Sequence, residues 1–91
     1  MKLQRILRVP EVVEHRGDSR PELYRDIAAR TWTRPVRIGA RSVGWPETEV
    51  AALTAARIAG WDETQIRRLV ESLERARKVA AETLAASLEA A

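Results

Sequence analysis

Cysteine is absent, histidine occurs once, and only four of the 91 residues are aromatic. Without thiols the chain can form no disulfide framework, no thiolate metal site and no thiol nucleophile. His15 alone leaves zinc or iron without a ligand set, so no metal is expected. No apolar run approaches the roughly 20 residues that a bilayer span needs. The first residues, MKLQRILRVPEV, carry charges throughout and show no secretory h-region. The cytoplasm, and within it the nucleoid, is therefore the expected location. There is no Ser/His/Asp set, no glycine-rich phosphate loop and no framed pair of carboxylates, so the sequence predicts neither an enzyme nor a cofactor. A chain of this length has room for one core.

What is present is charge, unevenly spread. Sixteen Lys and Arg oppose thirteen Asp and Glu, a net charge of +3. Positions 1–45 hold ten basic groups against five acidic ones, a net +5, while positions 46–91 hold six against eight, a net −2. A basic first half suits a polyanion such as nucleic acid. Abundant arginine and alanine also fit a biased genome, so where the arginines lie matters more than their number.

Residues 1–8 read as an arm or short strand, with Leu3, Ile6 and Leu7 as its apolar groups. Pro10 suits a first helical position, where its missing N–H is harmless, and Gly17 suits the left-handed stop, which predicts a helix over 10–16. Ser19 followed by Glu22 is a capping-box pattern with Pro21 in the first turn, predicting a second helix over 20–30. Two helices joined through a short glycine turn have helix-turn-helix spacing. Next, Val36 and Ile38 alternate with Arg37, Gly39-Ala40-Arg41 turns, and Val43 and Trp45 alternate with Gly44. This predicts a β-hairpin wing over 35–45 with a basic tip. Pro46 then opens a third helix over 46–59. From Asp62 no breaker follows, and Ile66, Leu69, Val70, Leu73, Ala76, Ala80, Leu84 and Leu88 form one apolar stripe. The fold class is thus mainly α with a small hairpin. It divides into a winged helix-turn-helix over 1–60 and an amphipathic helix over 62–91 whose last two turns fray. The long helix outruns a small domain, so Ile66, Leu69, Val70, Leu73 and Leu84 are candidates for self-association as a homodimer.

The partner this order implies is double-stranded DNA, read by the second helix. Arg20 stands at its start, and Arg25 lies on its outward face. Arginine can bond guanine N7 and O6 together, and Ala29 can touch a thymine methyl. Ser19 caps the helix. Glu22 can accept from a cytosine amine, although capping with Ser19 is the more economical role. Tyr24 sits half-buried with its hydroxyl free to reach a phosphate. Arg30, Arg34, Arg37, Arg41 and Ser42 would bring the wing and its flanks to the DNA backbone or a minor groove. Trp32 and Trp45 frame the hairpin and suit anchoring it to the core better than stacking on bases. Trp61 is placed where the third helix meets the long one, and His15 on the surface.

The segments RVPEVVEHRG, SRPELYR and RPVRIGARSVGWPETEVAAL, which span Arg8 to Gly60, resemble the AlpA family of phage regulators. In that family a proline-led helix ends in glycine, a Ser-x-x-x-[Ile/Leu]-Tyr-Arg helix follows, and a Pro-Val-[Lys/Arg]-[Ile/Leu]-Gly hairpin closes on Gly-Trp. The resemblance implies an excisionase-like fold and a role in activating integrase genes or directing prophage excision. It assigns Ser19, Arg20, Tyr24 and Arg25 to the recognition helix, and Arg37, Arg41 and Ser42 to the wing. Asp18 departs from the pattern where an apolar residue usually packs. Arg30 replaces the usual glycine, Trp32-Thr33 replaces phenylalanine-proline, and the final helix is longer than most. Two other functions stay open: an assembly subunit such as a small phage terminase subunit, and a protein-interaction adaptor on the same scaffold.

Overall fold

Pro10 and Gly17 bracket the first helix much as their chemistry requires. In the computed structural model, which describes residues 3–90, α1 spans Val9–Arg16, and Gly17 closes it at φ 75°. Helix α2 spans Arg20–Ala28 with Ser19 as N-cap. It stops two residues before the expected end because Arg30 turns left-handed, at φ 66°. An L side chain in that region costs about 1–2 kcal/mol, which is why glycine is usual there.

The expected arm is a strand. β1 (Ile6–Arg8) pairs antiparallel with β3 (Val43–Pro46), which also pairs with β2 (Val36–Arg37), giving the order β1-β3-β2. The wing is therefore two strands of a three-stranded sheet. Pro46 ends β3 and caps α3 (Glu47–Ile58) instead of sitting inside its first turn. Proline fits a strand end, where no ladder N–H is needed. Leu7, opposite Trp45, turns into the core.

Both Trp32 and Trp45 are fully buried with Leu23, Leu53, Val12 and Val70, and the Trp45 indole N–H donates to the Thr33 carbonyl at 2.8 Å. Trp61 is 44% exposed and lies outside this cluster.

Asp62 and Gln65 cap α4 (Glu63–Ala90) reciprocally, through bonds of 2.8 and 2.9 Å. The first half of α4 closes the core: Val70 is buried, and Ile66, Leu69 and Leu73 pack against the cluster. Four of the expected self-association residues thus cover the apolar face of their own domain, the nearest apolar surface available to them. Arg77 bonds buried Glu49 of α3 at 2.6 and 2.7 Å. Beyond it the helix runs unbroken to Ala90, with Leu84 and Leu88 exposed by 46% and 79%. The expected fraying falls on turns that are helical up to Ala90, with Ala91 outside the described residues. The architecture is a winged helix-turn-helix followed by a long C-terminal helix.

Gly44 of the central strand stands opposite Arg8 of β1 and Val36 of β2 at once. A Cβ there would lie 2.5 Å from Ile6 Cγ2 and 2.8 Å from the Leu7 carbonyl oxygen. Gly44→Ala is expected to destabilise the fold by about 1–3 kcal/mol through overpacking, read as a lower urea midpoint. An unchanged midpoint would mean that β1 can shift freely.

Candidate nucleic-acid interface

The outward side of α2 carries Arg20, Pro21, Tyr24, Arg25 and Ala28, while Leu23 is buried beneath them. The Arg20 guanidinium lies 5.6 Å from the centre of the Tyr24 ring, a cation–π distance that orients both groups. Tyr24 is 39% exposed. Ser19 Oγ accepts the Glu22 N–H at 3.4 Å, and its hydroxyl donates to Glu22 Oε1 at 3.0 Å. The Glu22 carboxylate is therefore held at the cap. Ala29, exposed, is the C-cap.

Facing the start of α2 is the loop between β2 and β3, closed by the Ile38 N–H donating to the Ser42 carbonyl at 2.9 Å. Arg37 and Arg41 are exposed, and Ser42 Oγ accepts from Arg8 Nη2 at 3.3 Å. Arg8, Val9, Pro10, Arg20, Arg41 and Val43 line an open cleft of about 450 Å³. Three guanidinium groups thus converge between the wing and the N-terminal ends of α1 and α2, whose dipoles also favour negative charge. Arg8 is the residue that reading the sequence missed. It lies on a segment that looks like a free arm, and only the pairing of β1 with β3 brings it beside Ser42.

Pairing divides the arginines into two groups. Arg5, Arg16, Arg30, Arg34, Arg57, Arg67 and Arg77 each meet a carboxylate within 4.0 Å. Among the described residues none pairs with Arg8, Arg20, Arg25, Arg37 or Arg41, on the side of β1, α2 and the wing, or with Arg68 and Arg75 of α4. Arg30 and Arg34, expected at the flank of the wing, turn instead to Glu74 of α4, at 3.1 and 3.0 Å.

Residues 5–58 match the family model described as prophage CP4-57 regulatory protein (AlpA). The chain belongs to the AlpA family. No curated protein and no solved structure matches it. The matched stretch runs from just before β1 to the end of α3, so it includes α2, the wing and Arg8 and leaves α4 outside. Membership supports a prophage regulatory, DNA-binding protein. Among the described residues no group of His, Asp and Glu is placed to hold a metal, and no helix is long and apolar enough to cross a membrane.

Glu74 has the one strongly shifted carboxylate. Burial pushes its pKa up, but hydrogen bonds from the Arg34 side chain and backbone and from Arg30 outweigh this and hold it at about 2, against an ordinary 4.5. A depressed folded-state pKa stabilises the protein above the unfolded value, and that stability is lost as pH falls through the folded one. The melting temperature is expected to drop between about pH 4.5 and about pH 2. Glu74→Gln should start lower and fall less steeply over the same window, as followed by circular dichroism. Parallel curves would show that another group controls the acid transition.

Proposed function

We propose that this AlpA-family chain binds a specific sequence of duplex DNA and thereby regulates a prophage or mobile-element gene, or directs excision. The observation that carries the reading is that five of the seven arginines without a carboxylate partner among the described residues lie on β1, α2 and the wing, three of them around one cleft. Most of the arginines not tied up within the fold gather on this side, and a polyanion is the partner that such a surface fits. In this reading α2 enters the major groove. Arg20 and Arg25 reach base edges or adjacent phosphates, and Tyr24 supports Arg20. Ser19 and Glu22 fix the helix start, and Ala29 meets the groove only at its far end. Arg37, Arg41 and Ser42 bring the wing to the backbone, with Arg8 at the bottom of the cleft.

Fluorescence anisotropy with a random 30-base-pair duplex at 50 and 200 mM salt tests the electrostatic part. Affinity is expected to weaken by roughly tenfold to a thousandfold between the two, as counterions are released at a handful of phosphates. Arg8→Ala, Arg20→Ala and Arg41→Ala should each reduce the slope of log K against log salt by about 0.9. Arg5→Ala, which loses an arginine paired to Glu11, should change it little. Selection from a random duplex library then tests sequence preference, and Arg25→Ala is expected to relax it at one position by about 1–3 kcal/mol. No binding at low salt, or binding with no sequence preference, would overturn the proposal.

A further inference from the structure

The connector between α2 and the wing is gripped at both ends by α4. At its start, Arg67 Nε donates to the Ala29 carbonyl at 3.0 Å. At its end, Arg77 Nη2 donates to the Arg34 carbonyl at 2.8 Å, and Arg77 is itself anchored on Glu49. Glu74 touches both ends at once. Its Oε1 accepts from Arg30 Nη2 at 3.1 Å and from Arg34 Nη2 at 3.0 Å. Its Oε2 accepts the Arg34 backbone N–H at 2.9 Å. Between the ends Trp32 and Thr33 are fully buried. The Glu74 side chain is only 12% exposed, while its partners Arg30 and Arg34 are exposed by 39% and 67%, so the carboxylate is fixed from the side of the fold and the guanidinium groups stay in contact with solvent.

The geometry points to Glu74 as a positioning residue that sets how the wing stands relative to α2 and so governs selectivity for a target sequence without touching DNA. This inference rests on the DNA-binding reading above. Selective binding needs the helix in its groove and the wing on its phosphates in one register, which requires rigid support from behind. Arg30 shows how much the connector depends on that support. It holds a left-handed conformation that an arginine adopts only when its surroundings over-determine it, and its side chain ends on Glu74. With the Glu74 carboxylate removed, α2 and the wing would still carry their unpaired arginines. Attraction to any duplex would survive, while the coupling between the two contacts would weaken. The residues responsible lie on α4, outside the stretch that matches the family.

The chain has no cysteine, so spin labels can be placed at will. Ala28→Cys on α2 and Ala40→Cys at the wing tip, both exposed, form a suitable pair for a measurement made without DNA. Double electron–electron resonance is expected to give one narrow distance in the otherwise wild-type chain and a broad distribution with Glu74→Ala. Glu74→Gln, which keeps an acceptor for the Arg34 N–H, should fall between, and Glu89→Ala on the exposed end of α4 should stay narrow. With a duplex selected by the wild-type protein, Glu74→Ala should lower the preference over random duplex fivefold or more and leave the salt slope unchanged. Arg20→Ala should lower the slope. If Glu74→Ala does not fold, Glu74→Gln carries both measurements. A narrow distribution in the folded Glu74 variant, or full selectivity despite a broad one, overturns the positioning role alone. A wild-type protein that selects no duplex overturns the DNA-binding reading instead.

Discussion

The Arg16 guanidinium has no exposed surface. It bonds Asp18 through Nε at 3.0 Å and Nη2 at 2.7 Å, and Asp26 through Nη2 at 2.6 Å, and it stacks 4.5 Å from the centre of the Trp32 ring. A charge out of water is tolerable only when paired and hydrogen-bonded, and breaking such a set leaves an uncompensated ion inside. The two aspartates keep this guanidinium protonated against the effect of burial. One group therefore joins the end of α1, the turn after it, the middle of α2 and the connector beyond. Arg57 of α3 adds a longer contact to Asp26 at 3.8 Å and lies 5.9 Å from Trp32. The angle at which α2 presents its outer face, and the direction in which the chain leaves toward the wing, both depend on this cluster.

The same arrangement accounts for how this chain departs from the AlpA pattern. Asp18 stands where an apolar residue usually packs, and here it serves as an ion-pair partner for Arg16 instead of a packing contact. Trp32, in place of phenylalanine, puts an indole ring under Arg16, while the backbone carbonyl that accepts from the Trp45 indole at Thr33 is one that a proline would offer equally. Arg30, in place of glycine, accepts a strained backbone and gains a partner on α4. Asp18 finds its partner two residues away, whereas Arg30 finds one 44 residues on. Through Arg30 the link between α2 and the wing takes support from a helix that lies outside the matched family segment.

Charge performs two jobs in this chain, and carboxylates separate them. Arginines that meet Asp or Glu tie elements together: Arg16 within the turn, Arg77 between α3 and α4, Arg30 and Arg34 onto Glu74. Of the arginines without such partners among the described residues, Arg8, Arg20, Arg25, Arg37 and Arg41 lie on the side of β1, α2 and the wing, and Arg68 and Arg75 on α4. Within the first half of the chain Glu74 of α4 takes up Arg30 and Arg34, and Glu11, Asp18 and Asp26 take up Arg5 and Arg16, which leaves Arg8, Arg20, Arg25, Arg37 and Arg41 facing solvent.

Local signals made much of this legible. Pro10, Gly17, Ser19 with Glu22, and Asp62 with Gln65 mark helix ends through bonds to residues no more than four away, so the order of elements follows from the sequence alone. The alternation around Val36 and Val43 marks the wing for the same reason. The sequence does not reveal which face of α4 is already occupied, because Ile66, Leu69, Val70 and Leu73 form the same stripe whether they meet another chain or their own core. Nor does it show that Arg8 stands beside Ser42, or that Arg30 and Arg34 end on Glu74, contacts between residues 34 to 44 positions apart. Short-range hydrogen bonding is written into neighbouring residues. The partner of a long, charged side chain is decided by which surfaces the buried core brings together, and only the tertiary structure settles that.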